Sequence, residues 1–484
     1  MLSETLKSFL KQLGALSIRR FSTNSEHVQC QDVFVCREGT SHDSHRYIES
    51  AITNGAVAII ATKPISASVP VFVTGSYYQS LLLIKAFYQY PHKKIRHIGI
   101  TGTNGKTTVA HGLNQVLKTK RQSAYIGTLG VEYAGNKQEL SNTTPDSVTL
   151  LNLFKDMADA QVTDNVMELS SHALVQDRAG FVPLSVGVIT NIGRDHLDYH
   201  KTLDGYVQAK LQILDRIQPN GTAVINLDDH HANVAIERAC SRVNVLTFSM
   251  NNSEADLYVE DLNVEPFGAT FVLNNQGNKE RVFSQLPFLF NVENTLAMAA
   301  TLLALNWSLA DIANALNSVV APDGRSKYLS LDNGALALVD YAHNFDGLTA
   351  LYQGIQSQSA KRVITVVGVT GDRIRDAADI GKLCATHSDV VIFTSDNPLG
   401  EMQEDIFRAL TSQVSPTLCY EISDRYEAIQ LAKQLSRGGD LILVCGKGSE
   451  THQYITTNQV GRQRYIGDVA ALTLEEVLRV RFRY

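Results

Sequence analysis

The sequence predicts an α/β protein of three domains in which mostly parallel sheets alternate with helices. The chain has 484 residues, which is too long for one core and, at about 100–200 residues per domain, suggests about three. Short apolar runs with strand character alternate with helical stretches along most of the chain. A glycine-containing loop joins a strand to a helix near residue 102, which is typical of sheets that bind phosphate groups.

The composition excludes several classes of protein. Hydrophobic residues make up 44% and charged residues 19%, as in soluble globular proteins. A net charge of −6 provides no basic surface for nucleic acid. The longest apolar run, residues 56–61, is far shorter than the roughly 20 residues that span a bilayer, so no membrane partner is expected. The six cysteines form no CxxC pair, which fits a reducing cytoplasm.

The first domain is predicted over residues 1–91. It reads as a strand at 32–36, a helix at 46–55 and a strand at 56–61. Residues 1–25 of this domain could be mistaken for a transit peptide, but they contain Glu4 and lack an apolar core. We therefore expect an amphipathic first helix.

The second and third domains are predicted over residues 92–324 and 325–484. The second begins with a strand, a loop and a helix across residues 96–120. Its further strands are predicted at 165–169, 185–192 and 222–228, which indicates a doubly wound, mostly parallel sheet. The strands of the third are predicted at 335–341, 362–369, 389–395 and 440–446, which indicates a Rossmann-like sheet.

The loop after the first strand of the second domain is a candidate phosphate site. Its residues are Gly102, Thr103, Asn104, Gly105, Lys106, Thr107 and Thr108. Backbone N–H groups and the dipole of the following helix would bind phosphate oxygens, Lys106 would pair with the β- and γ-phosphates, and Thr107 would face magnesium. The strict Walker pattern needs a glycine where Ile100 stands. A glycine-rich turn without a ligand therefore remains the alternative.

Further motifs follow this loop in a fixed order. They are NTTPD (142–146), ELSSH (168–172), TNIGRDHLD (190–198), YVQAK (206–210), NLDD (226–229), DYAH (340–343), GDR (371–373), DNP (396–398) and GKG (446–448). Together with ITGTNGKTT at 100–108, this ordered set resembles the Mur ligase family from about residue 21 to residue 475. Within the family, the chain is most similar to the MurE ligases, which add the third amino acid.

The resemblance implies a three-domain ligase that forms an amide bond for peptidoglycan biosynthesis, with a central P-loop-like domain. ATP would transfer its γ-phosphoryl group to a carboxylate, and the amine of an amino acid would displace phosphate from the acyl phosphate. Positioning and electrostatic stabilisation by Mg²⁺ and cationic side chains would carry the catalysis. The implied partners are small-molecule substrates, and the implied enzyme is a cytoplasmic monomer.

The resemblance assigns the catalytic and metal-binding roles to a small set of residues. These are Lys106 at the phosphates, Thr107, Glu168 and His196 as magnesium ligands, and Lys210 as a carbamylated lysine whose oxygens help to hold a second magnesium. Three of these residues also have a simpler interpretation: Glu168 as a salt-bridged glutamate, His196 as a loop histidine and Lys210 as a lysine on a helix surface. Without carbamylation Lys210 could not bind a metal, because a bare ammonium has no lone pair to donate. Zinc is not expected.

The nucleotide would also contact four residues further along the chain. The resemblance places Asn291 and Arg325 toward adenine and ATP, and Asp340 and His343 at the nucleotide from the third domain. A buried hydrogen bond for Asn291 and an interdomain salt bridge for Arg325 are the alternatives. Phe288 replaces a glycine usual in the family, which leaves the shape of the adenine pocket open.

The donor and acceptor sites contain departures from the family pattern. The donor residues implied are Ser25, Asn142, Thr143, Thr144, Ser170, Gln176 and Arg178, with turn or cap chemistry as the alternative for each hydroxyl. The acceptor residues implied are Arg373, Asp396, Asn397, Pro398, Leu399, Gly446 and Glu450. Residues 22–26 keep Ser25 but lack the family's Asp-Ser-Arg sequence. Leu399 replaces the arginine of the DNPR motif in diaminopimelate-adding members, and leucine cannot bind a carboxylate.

Three functions are compatible with this sequence. The first is a ligase that adds an amino acid other than meso-diaminopimelate, such as L-lysine, to UDP-N-acetylmuramoyl-L-alanyl-D-glutamate. The second is a relative that uses a different carboxylate donor in a specialised pathway, which the divergent N-terminal domain favours. The third is a nucleotide-binding scaffold without catalysis. The retained residues that oppose it are Lys106, Glu168, His196 and Lys210.

Overall fold

A computed structural model describes residues 3–39, 43–356, 360–415, 419–454 and 462–474. Contacts between Cα atoms divide the chain into two compact units. Unit 1 contains residues 1–99, 117–187 and 215–221, and unit 2 contains residues 100–116, 188–214 and 222–484. In the described part of the chain, we find no helix with the length and apolar character needed to cross a membrane.

The helices differ widely in length. In chain order they are α1 (Glu4–Gly14), α2 (Ile48–Thr53), α3 (Tyr77–Phe87), α4 (Lys106–Lys118), α5 (Ser147–Asp159), α6 (Ser171–Val175), α7 (Leu197–His200), α8 (Leu203–Leu211), α9 (Ala232–Cys240), α10 (Leu289–Ala304), α11 (Leu309–Leu316), α12 (Phe345–Gln356), α13 (Ala377–His387), α14 (Gln403–Thr411), α15 (Arg425–Leu435) and α16 (Asp468–Thr473). Short 3₁₀ helices lie at Ser25–His27, Ser44–Tyr47, Pro91–Lys93, Gln212–Arg216 and Gly371–Asp376.

The strands are short except in the middle of the chain. In chain order they are β1 (Phe21–Ser22), β2 (Asp32–Val35), β3 (Ala56–Ala61), β4 (Val71–Val73), β5 (Arg96–Thr101), β6 (Ser123–Gly127), β7 (Gly130–Tyr133), β8 (Asn136–Gln138), β9 (Asp164–Glu168), β10 (Leu184–Ile189), β11 (Ile217–Asn226), β12 (Asn244–Ser249), β13 (Leu257–Glu265), β14 (Gly268–Asn275), β15 (Asn278–Ser284), β16 (Lys327–Ser330), β17 (Leu336–Asp340), β18 (Val363–Val367), β19 (Val390–Thr394), β20 (Cys419–Ile422), β21 (Leu441–Cys445), β22 (His452–Tyr454) and β23 (Arg462–Arg464).

Unit 1 begins with a parallel sheet of order β1-β2-β3-β4. Successive side chains of a strand point to opposite faces of the sheet, and both faces of this sheet are buried. Val33 and Val35 join one apolar cluster, which includes residues of α1 and α3, whereas Phe34 joins another with Ile48 of α2. The predicted strands at 32–36 and 56–61 and the amphipathic first helix are confirmed.

The middle of the chain supplies sheet strands to both units. Within unit 1 the order is β9-β6-β7-β8, with β9 and β6 parallel and the other pairs antiparallel. Within unit 2 the order is β15-β14-β13-β12-β11, and β13, β14 and β15 are antiparallel neighbours. The predicted strands at 96–100, 165–169, 185–192 and 222–228 are confirmed, although β10 ends at Ile189 and the polar residues after it form a loop. The antiparallel strands were not predicted.

The last sheet lies wholly in unit 2 and has the order β16-β17-β21-β18-β19-β20. All its neighbouring pairs are parallel except β16 with β17. Along β17, Leu338 packs on the face covered by α12, α13 and α14, whereas Ala337 and Val339 pack on the face covered by α15 and α16. The predicted Rossmann-like sheet with helices on both faces is confirmed.

Phe288 joins this last sheet's core although it stands at the start of α10. Its side chain is buried among Leu338, Leu348 and Tyr352, and its ring stacks on Phe290 at 5.4 Å between centroids. Its backbone has φ 76° and ψ 152°, a region that is almost restricted to glycine and costs about 1–3 kcal/mol for other residues. The buried ring therefore compensates for a strained backbone.

This strain predicts an unusual order of stability for two variants. Phe288→Ala should lose about 3–5 kcal/mol because a buried aromatic side chain is removed. Phe288→Gly loses the same contacts but relieves the strain, so we expect it to be about 1 kcal/mol more stable than Phe288→Ala despite the greater entropy of glycine. Thermal denaturation of the two variants measures the difference. A higher midpoint for the alanine variant would show that the backbone at 288 is not strained.

Candidate active site

A cavity of about 320 Å³ lies in unit 2 beside the phosphate loop. It is lined by the loop, the start of α10, and the residues that follow β10, β11 and β17. Polar side chains in its wall include those of Asn104, Thr108, Asn294, Arg325, Asp340 and Tyr341. Its volume is in the range of small-molecule sites.

The phosphate loop is shaped by two glycines that have no room for a side chain. A Cβ atom on Gly102 would lie 1.8 Å from Thr190 Oγ1, and one on Gly105, whose φ is +84°, would lie 2.2 Å from Asn294 Oδ1. The hydroxyl of Thr190 donates a hydrogen bond to the Asn104 carbonyl at 2.6 Å. Because α4 begins directly after Gly105, its first N–H groups and its dipole favour an anion at this end of the cavity.

Two lysines converge on one carbonyl oxygen of this loop. Lys106 Nζ donates to the carbonyls of Gly102 and Thr103 at 2.8 and 3.0 Å, and Lys210 Nζ donates to the same Gly102 oxygen at 2.6 Å. The Lys210 ammonium also lies 4.6 Å from the ring centroid of Tyr206. Burial, and then the Lys106 charge, hold the pKa of Lys210 well below its usual value. The site thus favours a neutral Lys210 amine or a nearby anion.

A buried aspartate connects the loop after β10 to the residues after β17 and β18. Asp195 Oδ1 accepts a hydrogen bond from Arg373 Nε at 3.1 Å, and its Oδ2 accepts one from Asn344 Nδ2 at 3.1 Å. Burial opposes the charge, but the Arg373 guanidinium, followed by two histidines, lowers the pKa of Asp195 far below its usual range. The predicted acceptor residue Arg373 is therefore oriented by an aspartate of the DHLD motif.

The predicted magnesium ligand His196 lies in a group that could hold a cation. Ligand atoms of His196, Asp198 and Asp372 lie within 4.8 Å of one another. One imidazole nitrogen and two carboxylates are ligand types that divalent metals accept. The other predicted protein ligands are divided between the units, since Thr107 belongs to unit 2 and Glu168 to unit 1.

Arg325 and Asn291, both predicted to face the nucleotide, have different positions. Arg325 lines the cavity, lies 4.1 Å from the ring centroid of Tyr341, and donates to Thr107 Oγ1 at 3.3 Å. Asn291 is buried behind the wall, where its Oδ1 accepts a hydrogen bond from Asn294 Nδ2 at 2.9 Å. Asn294 lines the cavity. Asn291 thus orients a lining residue.

Asp340 and His343 stand at the carboxyl end of β17. Asp340 Oδ2 accepts a hydrogen bond from the Ser326 N–H at 2.6 Å, and its Oδ1 accepts one from the Ala342 N–H at 2.8 Å, so its carboxylate shapes the cavity wall. The imidazole of His343 contacts the Tyr341 carbonyl at 2.7 Å. Burial, and then Arg373, lower the pKa of His343 to about 4, which favours a neutral ring.

The predicted acceptor residues at the end of the last sheet surround a buried lysine. Lys447 Nζ lies 3.1 Å from Asp396 Oδ1, 3.2 Å from Glu450 Oε2 and 3.4 Å from Asn397 Oδ1. Burial opposes the charge of Asp396, but Lys447 and Arg425 lower its pKa to about 2. Within this compact group of paired charges, Asp396 is therefore an anionic carboxylate, the type of group that binds an ammonium group.

Leu399 and the glycines near it complete the acceptor region. Leu399 has φ 45° and follows Pro398, whose carbonyl oxygen would lie 1.7 Å from a Cβ on Gly371. Gly446 has φ 113°, and a Cβ there would lie 3.2 Å from Asp396 Oδ2. The chain segments that carry these motifs therefore approach one another closely at the edge of the sheet.

Unit 1 brings most of the predicted donor residues together around Glu168. Glu168 is fully buried, and its Oε1 accepts hydrogen bonds from the Tyr125 hydroxyl at 2.5 Å and the Thr128 N–H at 3.0 Å. The Thr144 hydroxyl donates to the Glu168 carbonyl at 2.8 Å and accepts from the Ser170 N–H at 3.1 Å. The carboxylate is thus held by neutral donors.

The remaining donor residues are arranged beside that group or apart from it. Arg178 donates to Gln176 Oε1 at 2.8 and 3.0 Å and to the Thr144 carbonyl at 2.8 Å. Thr143 hydrogen-bonds the Thr128 hydroxyl at 3.2 Å. Asn142 is exposed, and Ser25 is buried in a 3₁₀ helix held by Asn54.

Several residues at the site were not selected from the sequence. They are Asp195, Asp198, Asn294, Asn344, Asp372 and Lys447. Most stand inside or next to the motifs, so proximity in sequence was an available signal. Which side chain of a motif points into the site depends on local backbone geometry that the motif does not encode.

Comparisons with known proteins agree with this geometry. A family model described as the Mur ligase middle domain matches residues 100–302, and one described as the Mur ligase glutamate ligase domain matches residues 324–448. The UDP-N-acetylmuramoyl-L-alanyl-D-glutamate–2,6-diaminopimelate ligase of Geobacillus thermodenitrificans is 35% identical over 453 residues, which cover 91% of this chain and 92% of that protein. The chain belongs to the Mur ligase family.

Two further comparisons cover almost the whole Mur ligase chain. The enzyme of the same name from Nostoc sp. is 34% identical and covers 96% of both chains. A solved structure of a 2,6-diaminopimelate ligase of this type has a TM-score of 0.63 and 29% identity, and it covers 94% of both chains. This Mur ligase is therefore an ATP-dependent acid–amino-acid ligase of α/β architecture whose substrates are small molecules and whose cofactors are ATP and Mg²⁺.

The position of Lys106 predicts the effect of its removal. If Lys106 binds the phosphates as the sequence predicts, Lys106→Ala should lower kcat about 100-fold to 1000-fold because a positioned cation is lost. The fold should remain intact, since the lysine side chain contacts loop carbonyls and is not part of an apolar core. Steady-state release of ADP, with circular dichroism as the control for folding, measures this. Turnover close to that of the wild type would contradict the phosphate role.

Proposed function

We propose that this Mur ligase joins an amino acid without a distal carboxylate, such as L-lysine, to UDP-N-acetylmuramoyl-L-alanyl-D-glutamate. Residues 1–91 would bind the uridine part, residues 92–324 would bind ATP, and residues 325–484 would bind the acceptor. The observation that carries the acceptor assignment is Leu399, which stands where the DNPR motif has arginine.

The groups in unit 2 support activation of a carboxylate at the phosphate end of the cavity. Lys106 and the start of α4 would neutralise the charge that develops on the transferred phosphoryl group. Arg325 is already held beside Thr107 and the cavity, so it would need little reorganisation to bind a phosphate oxygen. The group around Glu168 would position the donor, with Arg178 and Gln176 as polar contacts.

The surroundings of Lys210 support its carbamylation. A carbamate forms from a neutral amine and CO₂, and burial beside Lys106 favours the neutral amine. The product is an anion, which would relieve the convergence of two cations on the Gly102 carbonyl. Its oxygens would then be available to Mg²⁺, whereas an ammonium is not.

Carbamylation predicts a specific pattern of rescue. Lys210→Ala should reduce kcat by about 100-fold or more, and short carboxylates such as acetate should restore part of it because they can replace the carbamate oxygens. Lys201→Ala, on the loop before α8, is the matched lysine variant and should not respond to acetate. ADP release with and without acetate is the measurement. Equal activation of both variants would argue against a carbamate.

The cations near the acceptor residues are mostly committed to carboxylates of the protein. Arg373 pairs with Asp195, Lys447 with Asp396 and Glu450, and Arg425 bonds both oxygens of Asp468 at 2.8 Å. A second carboxylate on the acceptor would thus meet Leu399 without a cation dedicated to it. Arg375 is exposed and is the side chain that could substitute.

Leu399 predicts the order of acceptors. Meso-diaminopimelate should have a kcat/KM at least about 30-fold below that of lysine, since leaving a charge unpaired costs about 2 kcal/mol or more. Leu399→Arg should recover part of the difference by bidentate binding. The measurement is kcat/KM for meso-diaminopimelate, lysine, ornithine and several apolar amino acids with both proteins.

A second variant separates the two sources of a carboxylate contact. If the wild type prefers meso-diaminopimelate, the role assigned to Leu399 is wrong, and Arg375→Met then tests whether Arg375 binds the distal carboxylate. Phosphate release with other carboxylate donors, but none with the UDP-muramyl dipeptide, would instead favour the specialised-pathway ligase suggested by the divergence at residues 22–26.

A further inference from the structure

The cavity in unit 2 is lined by charged groups of both signs. Near the phosphate loop its lining includes Gly105, Thr108 of α4 and Arg325, which donates to Thr107 Oγ1. Another part of its lining carries Asp228, Asp229 and Glu293. Phosphates would be repelled by the charges of Asp228 and Asp229, so the acidic part would face the base and ribose of a nucleotide whose phosphates lie at the loop.

Two of the three carboxyl groups are already committed to the protein. Asp228 accepts hydrogen bonds from the Ser249 hydroxyl at 2.6 Å and the Met250 N–H at 2.7 Å. Asp229 accepts from the N–H groups of Ile192 at 2.6 Å and His231 at 2.8 Å. Each of their four oxygens therefore has a donor, and their charges are fixed in the wall.

Glu293 is different because, within the described part of the chain, no group donates a hydrogen bond to its carboxyl. It stands one turn after Phe290 on α10, and both side chains line the cavity. Residues three apart lie on one face of a helix. A base stacked on the Phe290 ring would thus place its polar edge toward Glu293, while Asn294 faces Gly105 of the phosphate loop.

We propose that Glu293 contacts the polar edge of the nucleobase and favours adenine over guanine by presenting a neutral carboxyl group. Adenine offers one N–H donor beside one nitrogen acceptor, and a carboxylic acid has the complementary acceptor and donor. Guanine offers two adjacent N–H donors on its N1 and N2 side, which an ionised carboxylate matches better. This inference rests on the proposed placement of ATP in the cavity.

The charges around Glu293 agree with a neutral carboxyl group. Burial, and then the charges of Asp228 and Asp229, raise the pKa of Glu293 to about 7. The other titratable or charged groups lining the cavity are His230, Arg325, Asp340, Tyr341 and Asp346. Because the folded pKa is raised, the adenine-matching form predominates below about pH 7 and is lost as the pH rises through that value.

The test is the ratio of ATP to GTP preference as a function of pH. In the wild type, the ratio of kcat/KM for ATP to that for GTP should fall about tenfold between about pH 6 and about pH 8.5. The reason is that a hydrogen bond to an ionised group and one to a neutral group differ in free energy by an amount that corresponds to about a tenfold change in affinity. Titration of the acceptor amine cancels in this ratio. Calorimetric binding of β,γ-imido analogues of ATP and GTP gives the same ratio without turnover.

Two variants make the test specific. Glu293→Gln keeps one donor and one acceptor but does not titrate, so its ratio should be independent of pH. Glu237→Gln changes the same charge at an exposed position of α9 and should keep the wild-type profile. A flat ratio in the wild type, or a profile that Glu293→Gln leaves unchanged, would overturn the inference. If no donor and acceptor support turnover, the proposed function fails, whereas the binding ratio still decides the role of Glu293.

Discussion

The concentration of positive charge at the Gly102 carbonyl is the interaction on which the site depends. Lys106 and Lys210 come from different helices and donate to one oxygen atom. Two ammonium groups so close repel each other at low dielectric, so the arrangement persists only with a neutral lysine or with an anion between them. Phosphate and carbamate are both such anions. The loop that presents this carbonyl has no room for a Cβ atom at Gly102 or Gly105, where it would meet Thr190 or Asn294.

Buried charges elsewhere in unit 2 are satisfied in pairs, and these pairs determine which groups remain for substrates. Asp195 holds Arg373, Asp468 holds Arg425, and Lys447 holds Asp396. Breaking one partner of such a pair leaves an uncompensated charge. Arg373, Arg425 and Lys447 are therefore each engaged by a carboxylate of the protein.

The strained backbone at Phe288 shows how a departure from the family pattern is accommodated. The ring enters the core beneath the last sheet, opposite Gly354 of α12, where a Cβ would lie 2.6 Å from it. The same ring supports Phe290, which lines the cavity beside the phosphate loop. The shape of that cavity is therefore set partly by packing outside it, since close-packed interiors transmit such displacements.

The sequence by itself determined the alternation of strands and helices, the phosphate loop and the family. Strands such as β2, β3 and β18 are mostly apolar and are buried on both faces, and such local patterns are visible without coordinates. The antiparallel strands β13–β15 were missed because charged and polar residues interrupt the apolar pattern of β13 and β15. Only the tertiary structure decided that Asn294 and Glu293 line the cavity while Asn291 lies behind it, and that Asp195 orients Arg373. Those outcomes depend on the rotation of one helix and on contacts between distant residues, which no local pattern encodes.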